Sequence, residues 1–105
     1  MNRRPLVSII MNCLNGEEFL NFALESILNQ TYKNWELIFW DNCSTDQSKK
    51  IFKTFKDKRL KYFKSNKYQK LYKARNNAIK KSKGRYISFI DTDDWWLKNR
   101  LTKQL

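Results

Sequence analysis

The sequence predicts an α/β fold, a mostly parallel sheet with helices on both faces. Four short apolar runs alternate with segments of helical period, which gives the order β-α-β-α-β-α-β. The first two runs barely alternate between apolar and polar residues, as expected of strands that are covered on both faces. Each crossover helix then returns the chain, so that the next strand lies parallel to the previous one. The 105 residues fit a single domain with one core.

The first part of the chain supplies two strands and one helix. Strands are predicted over residues 6–11 and 35–40. Between them, apolar residues recur at the spacing of one helix face: Leu20, Ala23, Leu24, Ile27 and Leu28. Glu17 and Glu18 are expected in the first turn of this helix, where the helix dipole favours acidic side chains.

The second helix is predicted to begin at a capping box formed by Ser44 and Gln47. Three apolar residues along this helix are expected in the core: Ile51, Phe52 and Phe55. A third strand, more exposed than the first two, is predicted over residues 59–63.

A third helix is predicted from about Leu71. Its buried face is expected to carry Leu71, Ala74 and Ala78. Gly84 is well placed to end it, because glycine is the preferred residue just past a helix C-terminus.

Clustered carboxylates follow the fourth apolar run, residues 86–90, which is predicted to be a buried strand. Asp91, Asp93 and Asp94 follow this run directly. In an open parallel sheet the carboxyl ends of the strands form the edge where ligands bind, and carboxylate oxygens suit Mg²⁺ or Mn²⁺. The alternative is an acidic loop that caps a last helix, predicted from Trp95.

The net charge of +12 is unevenly distributed along the chain. Residues 1–47 carry three basic and six acidic side chains, whereas residues 49–85 carry sixteen basic side chains and one acidic side chain, Asp57. The positive charge of residues 49–85 can attract phosphates, anionic lipid headgroups or nucleic acid. The alternative is that most of these lysines form an ordinary solvated face.

The composition excludes several classes of function. The chain has no His, and Cys13 and Cys43 are its only cysteines, so neither a disulfide scaffold nor a zinc site is expected and a reducing cytoplasm fits. With only Gly16 and Gly84, the chain has no glycine-rich phosphate loop, and nothing supports a nucleophilic triad. What remains is a carboxylate-held metal beside a basic flank, which suits a diphosphate ligand.

Five motifs, in the expected order, resemble family 2 glycosyltransferases with the GT-A fold. They are Val7–Ile10 with Asn15–Glu17, Ser26–Tyr32, Trp40–Asp46, Ala74–Asn76, and Gly84–Ile87 with Asp91–Asp94. The resemblance covers nearly the whole chain. It implies that residues 1–105 form one domain, the N-terminal donor-binding part of such an enzyme, and that the acceptor-binding half is absent.

The resemblance implies a role for the acidic turn. Asp91 and Asp93 stand at the family's D-x-D signature. Asp93 would coordinate the divalent metal, Mn²⁺ or Mg²⁺, that bridges the diphosphate of the sugar nucleotide. Asp91 would approach the ribose or the metal shell, whereas Asp94 is explained equally well by helix capping.

The remaining implied contacts lie after the first two strands and on the third helix. Asp41 and Asn42 match the acidic pair that contacts the nucleobase in relatives. Asn15, with the backbone around Leu14, would line the base pocket. Arg75 would reach towards the phosphates, or else it is a solvent-facing member of an ion pair.

Some positions depart from the family pattern. Asn12 stands where relatives usually have Pro, and Leu14 stands where Tyr is frequent. Trp95 and Trp96 either stack on a sugar ring or pack in the core, and core packing is favoured.

The implied function is inverting transfer from a nucleotide-diphosphate sugar to a glycan or lipid-linked acceptor, in cell-envelope polysaccharide biosynthesis. No catalytic residue is identified, because the family's general base is expected outside this chain. The chain alone is therefore expected to be inactive or weakly active. The expected location is the cytoplasm, with peripheral contact at the inner face of the plasma membrane as a further expectation, and nucleic acid is not an expected partner. The alternative function is a non-catalytic basic module that binds anionic membrane or polyanion.

Overall fold

A four-stranded parallel sheet carries helices on both faces in the computed structural model, which describes residues 4–105. The strands are β1 (Val7–Cys13), β2 (Trp35–Asp41), β3 (Leu60–Lys64) and β4 (Tyr86–Asp91). The helices are α1 (Leu20–Leu28), α2 (Ser48–Lys53), α3 (Leu71–Lys80) and α4 (Arg100–Gln104). The strand order is β3-β2-β1-β4, with every neighbouring pair parallel. This confirms the predicted fold class, although residues 1–3 of the predicted domain lie outside the described range.

Two hydrophobic layers cover the sheet, because successive side chains of the central strands point to opposite faces. Ile9 of β1 packs in the layer that contains α1, α2 and α4, and Ile10 packs in the layer below α3. The second layer is thin, since α3 contributes the small residues Ala74 and Ala78, which are fully buried. Between residues 4 and 105, no helix is long and apolar enough to cross a membrane.

The prediction for Glu17 and Glu18 is wrong, because both precede α1, which begins at Leu20. Glu17 stabilises the start of α2 instead of α1. Its Oε1 accepts a hydrogen bond from the backbone N–H of Gln47 at 3.1 Å. The acidic side chain still lies at a helix N-terminus, where unpaired N–H groups need acceptors, but the helix is a different one.

The predicted capping box is also wrong. α2 begins at Ser48, and neither Ser44 nor Gln47 supplies a side-chain cap. Asp46 accepts hydrogen bonds from the backbone N–H groups of Ser48 at 2.9 Å and Glu17 at 3.0 Å. Burial acts to raise the pKa of Asp46, but hydrogen bonds from the Ser48 side chain and from backbone N–H groups outweigh it, so the pKa is lowered.

The third helix begins at Leu71 as predicted, but the burial of that residue and the way the helix ends differ from the prediction. Ala74 and Ala78 are buried as predicted, but Leu71 is exposed at the first residue of α3. The helix ends at Lys80, and Gly84 does not cap it. Gly84 instead lies so close to β1 that a Cβ there would be 2.6 Å from the backbone N of Ser8.

The prediction that the fourth strand is buried is wrong. Within the described part of the chain, β4 is an edge strand that pairs only with β1. Tyr86, Ile87 and Phe89 are each more than 40% exposed, and Ile90 is the buried residue of this strand. An apolar run indicates that a strand is suited to burial. It does not indicate whether the same chain provides a neighbouring strand or helix that buries it.

A buried carboxylate holds the amino edge of the sheet together. Glu36 is 3% exposed, and its Oε2 accepts hydrogen bonds from Ser8 Oγ and the Lys83 N–H, both at 2.6 Å. Its Oε1 pairs with Lys61 Nζ at 2.7 Å. Burial acts to raise the pKa of Glu36, but the hydrogen bonds from Lys61, Ser8 and Lys83 outweigh it and the pKa is lowered. This cluster ties β1, β2 and β3 to the segment that enters β4.

Candidate functional site

The carboxyl ends of all four strands lie at one edge of the sheet, because every neighbouring pair is parallel. The loops that follow the strands there are residues 14–19, 42–47, 65–70 and 92–99. Two of these residues adopt a left-handed backbone, Asn15 with φ 53° and Cys43 with φ 65°. Such conformations cost roughly 1–3 kcal/mol and persist where the surrounding structure fixes them. Both lie at the edge where ligands bind in this type of sheet.

Asn15 links the first two loops. Its backbone N–H donates to Ser44 Oγ at 2.9 Å, and its Oδ1 accepts from the Thr45 N–H at 2.8 Å. Next to it, the Gly16 N–H donates to Ser48 Oγ at 3.0 Å. The side-chain oxygen of Asn15 is therefore already engaged in holding the loops.

Asp41, at the end of β2, is buried and satisfied. Its Oδ1 accepts from the Ser44 N–H at 2.9 Å, and its Oδ2 accepts from the Tyr62 hydroxyl at 2.5 Å. Burial, followed by the hydrogen bond to Asp41, raises the pKa of Tyr62 well above its ordinary value. Asp41 thus orders the edge between β2 and β3.

Asn42 fixes the loop after β3. Its Nδ2 donates to the Gln69 carbonyl at 2.7 Å, and its Oδ1 accepts from the Gln69 N–H at 2.8 Å and from Ser65 Oγ at 3.3 Å. Asn42 is only 6% exposed, and both the donor and the acceptor of its side chain form hydrogen bonds to this loop. The loop in turn places Tyr68 at the rim of a cavity.

This cavity of about 130 Å³ lies between the ends of β1 and β2 and the start of α3. It is lined by Asn12, Cys13, Leu14, Asn42, Tyr68 and Leu71. Among the described residues, Asn12 Oδ1 is buried and has no hydrogen-bond partner. Burial raises the pKa of the neighbouring Cys13 thiol, which keeps it neutral. The cavity therefore combines exposed apolar walls, including Tyr68 and Leu71, with a buried amide oxygen that no described residue engages.

The acidic turn after β4 presents two free carboxylates. The Asp94 N–H donates to the Asp91 carbonyl at 3.1 Å, which closes the turn. Asp91 and Asp93 are exposed, and within residues 4–105 their carboxylates form neither a hydrogen bond nor an ion pair. Asp93 lines a cavity of about 290 Å³ together with Asn15 and Thr92.

Asp91 and Asp93 could hold a metal only as part of a mixed ligand set. Across the part of the chain that is described, no group of three or more Asp, Glu, Cys or His side chains could hold a metal ion. This fits Mg²⁺, which proteins usually bind through one or two carboxylates together with water and the phosphates of a substrate. The donor set is therefore suited to a metal that arrives with a phosphate ligand.

Asp94 and Trp96 have structural roles, whereas Trp95 lies at the surface. Asp94 Oδ1 accepts from the Trp95 N–H at 2.8 Å. The predicted last helix is present but begins only at Arg100, so the start at Trp95 and the cap by Asp94 are wrong. Trp96 is 3% exposed and belongs to the core, as favoured, whereas Trp95 is exposed. Trp95 lines an apolar groove with Phe22 beside the acidic turn.

Arg75 lies on the same side of the sheet as the small cavity. It is half-buried on α3, and its guanidinium carbon is 5.1 Å from the centre of the Phe89 ring. No salt bridge involves Arg75 within residues 4–105, so the alternative of an ion-pair member finds no partner there.

A parallel α/β sheet with polar and acidic loops at its carboxyl edge is a ligand-binding type of domain, and comparison with known proteins gives the family. Residues 8–105 match Glycosyl transferase family 2, and the chain belongs to this family. The predicted resemblance is thereby confirmed.

Three similar proteins illustrate the relationship. The chain is 43% identical over 101 residues to the Escherichia coli UDP-Glc:alpha-D-GlcNAc-diphosphoundecaprenol beta-1,3-glucosyltransferase WfgD, covering 95% of this chain and 40% of that enzyme. It is 42% identical over 100 residues to the Escherichia coli enzyme WfaP of the same description, with the same coverage. The crystal structure of S. aureus TarS 1-349 in complex with UDP-GlcNAc superposes with a TM-score of 0.89 at 29% identity, covering 93% of this chain and 29% of TarS. The chain thus spans about 40% of the length of these two relatives.

Two residues of the small cavity were missed by sequence reasoning. Asn12 departs from the Pro of relatives, and Tyr68 lies between the predicted third strand and the predicted third helix. The signal for Asn12 was available, because an amide in place of Pro adds a donor and an acceptor at a strand end. Tyr68 offered no such signal, since its position depends on the hydrogen bonds of Asn42 to Gln69.

Proposed function

We propose that this chain is the donor-binding part of an inverting glycosyltransferase, which binds a nucleotide-diphosphate sugar through a divalent metal for transfer to a glycan or lipid-linked acceptor. The observation that carries the proposal is the pair of exposed carboxylates, Asp91 and Asp93, at the carboxyl edge of a parallel sheet, neither of which has a partner within residues 4–105. The names of WfgD and WfaP specify a UDP-glucose donor and a lipid-linked diphosphate acceptor. The solved TarS complex contains UDP-GlcNAc. A uridine diphosphate donor is accordingly the first candidate.

The nucleobase is proposed to enter the cavity of about 130 Å³. Tyr68 supplies an aromatic face for stacking, while the Nδ2 of Asn12 offers a hydrogen-bond donor to the edge of a base, since its Oδ1 is buried. Asp41 and Asn42 support this pocket by ordering the loops around it. Leu14 forms an apolar wall where relatives often have Tyr.

The diphosphate is proposed to lie over the acidic turn. Asp93 would hold Mn²⁺ or Mg²⁺, with Asp91 at the ribose or in the metal shell. When bound, the ion supplies neutralisation of the negative charge on the departing nucleoside diphosphate. Arg75, which has no anionic partner among the described residues, adds positive charge on the same side of the sheet.

The general base that deprotonates the acceptor is proposed to come from residues outside this chain. Glu17 is a poor substitute, because its carboxylate accepts the Gln47 N–H at the start of α2. Sugar transfer by residues 1–105 alone is therefore expected to be weak or absent, whereas donor binding is expected to remain.

A thermal-shift experiment tests the donor site. The chain is heated with UDP, GDP, dTDP or CMP, each with and without Mn²⁺. We expect stabilisation that requires one of these nucleotides and Mn²⁺ together, because the two carboxylates need phosphate oxygens to complete the metal shell. Asp93→Ala should abolish the shift. Asp94→Ala is the matched control and should preserve it, since Asp94 bonds the Trp95 N–H. Equal shifts in Asp93→Ala and the unaltered chain would contradict the proposed metal ligand.

Tyr68→Ala is expected to weaken nucleotide binding about 5- to 150-fold, because stacking of a base on an aromatic ring contributes roughly 1–3 kcal/mol. Isothermal titration with the preferred nucleotide and Mn²⁺ measures the effect. Tyr72→Ala serves as the control, since Tyr72 is similarly exposed on α3 but does not line the cavity. Unchanged affinity in Tyr68→Ala, with metal dependence intact, would remove Tyr68 from the base pocket and leave the metal site standing.

A further inference from the structure

We propose that a lysine-lined groove between β3 and α3 binds anionic lipid headgroups, so that this face of the domain lies against a negatively charged membrane surface. The groove has a volume of about 500 Å³. It is separate from the acidic turn, because β3 and β4 are the opposite edges of the sheet.

The groove is lined by cations without counter-charges. Its lysines, all exposed, are Lys64, Lys67, Lys80 and Lys81, and no Asp or Glu is among its lining residues. The salt bridges found within residues 4–105 join Arg59 to Asp57 and Lys61 to Glu36. The four ammonium groups of the groove therefore retain their full attraction for an external anion.

The inner wall of the groove is polar. Trp40 lines it and is only 7% exposed; among the described residues its Nε1–H is buried without an acceptor, so it is not a donor at the surface of the groove. Asn77 also lines the groove, where its Nδ2 donates to Gln69 Oε1 at 3.2 Å. Phosphoryl oxygens accept hydrogen bonds from N–H groups and ammonium groups alike, so the lining matches a phosphate-bearing ligand.

The surroundings of the groove favour a surface over a single soluble phosphate. The lysines come from β3, the loop that follows it and the last turn of α3, and they belong to a segment, residues 49–85, with sixteen basic side chains and one acidic side chain. Tyr72, on α3 outside the groove lining, is 66% exposed, and tyrosine side chains are enriched at membrane–water interfaces. Each Lys near an anionic lipid surface adds to the attraction between protein and membrane. Many lipid headgroups can attract all of these lysines at once, whereas a single phosphate can contact only a few of them.

The experiment is sedimentation of the chain with lipid vesicles. Vesicles of phosphatidylcholine containing about one third phosphatidylglycerol are compared with vesicles of phosphatidylcholine alone, at low and physiological salt. We expect binding to the anionic vesicles only, and weaker binding at the higher salt. The double variant Lys67→Gln with Lys80→Gln should bind roughly 30-fold more weakly, from the loss of two surface charges.

The matched control is the double variant Lys98→Gln with Lys103→Gln. It removes the same net charge from exposed lysines that lie outside the groove, and it should bind vesicles nearly as well as the unaltered chain. Equal loss in both double variants would overturn the proposal, because binding would then follow net charge alone. Binding to neutral vesicles would overturn it as well. Displacement from anionic vesicles by millimolar inorganic pyrophosphate, with no effect of equal ionic strength from NaCl, would show a soluble phosphate site and overturn the lipid assignment.

Discussion

Glu36→Ala is expected to lower the free energy of unfolding by about 3 kcal/mol, the lower end of the range for breaking a buried ion pair. The substitution leaves Ser8 Oγ and the Lys83 N–H without their acceptor inside the protein. Lys61 limits the loss, because its side chain is 36% exposed and can return to solvent. Urea unfolding measures the change. Glu25→Ala, at an exposed position on α1, is the control and should stay within about 0.5 kcal/mol of the unaltered chain.

The same carboxylate predicts a pH dependence. The pKa of Glu36 is lowered from its ordinary value of 4.5 in the folded state, so its stabilising contribution is complete above about pH 4.5 and is lost as the pH falls towards the folded-state pKa. Glu36→Gln removes this titration, and its stability should fall less steeply with acid than that of the unaltered chain. Parallel acid profiles for the two proteins would show that Glu36 does not carry the effect.

Gly84→Ala is expected to destabilise the domain by about 3 kcal/mol, at the upper end of the usual cost of overpacking. A Cβ at this position would meet the backbone N of Ser8 at 2.6 Å and the backbone O of Leu6 at 2.9 Å. Backbone atoms of the central strand cannot move aside without breaking its hydrogen bonds to both neighbours. Thermal unfolding followed by circular dichroism measures the loss.

Two comparisons identify backbone crowding as the cause. Gly16→Ala should cost less, because its Cβ would meet the side chain of Thr92 at 2.5 Å, and that residue lies in a turn that can shift. Adding Ser8→Ala to Gly84→Ala should not restore stability, since the contacts with backbone atoms remain. A full rescue by Ser8→Ala would instead assign the cost to the Ser8 hydroxyl.

The order of elements could be predicted from the sequence because periodicity is a local property. The apolar stripe from Leu20 to Leu28 predicts α1, and the apolar residues of β2, interrupted only by Glu36 within residues 35–40, predict that strand. Exposure of β4 could not be predicted, because it depends on which strands flank it. The capping of α2 could not be predicted either, since Asp46 rather than Ser44 bonds the Ser48 N–H once the two loops are joined.

The candidate site shows the same division between local and tertiary information. Asp91 and Asp93 could be placed at the ligand-binding edge, since they directly follow a strand. The hydrogen bonds between the Asn42 side chain and the Gln69 backbone could not be predicted, because they join the ends of β2 and β3 in the tertiary fold. The position of Tyr68 beside Asn12 depends on those hydrogen bonds, and it could not be predicted from the sequence either.

The central place of β1 has a consequence for how the chain folds during synthesis. Val7 pairs with Trp35 of β2 on one side and with Tyr86 of β4 on the other. At the usual synthesis rate of about 5–20 residues per second, the second partner leaves the ribosome several seconds after the first. Long-range parallel pairing of this kind is intrinsically slow. For several seconds, therefore, β1 of the nascent chain can pair with β2 but not yet with β4, and its other edge is unpaired. A chaperone would act during this interval.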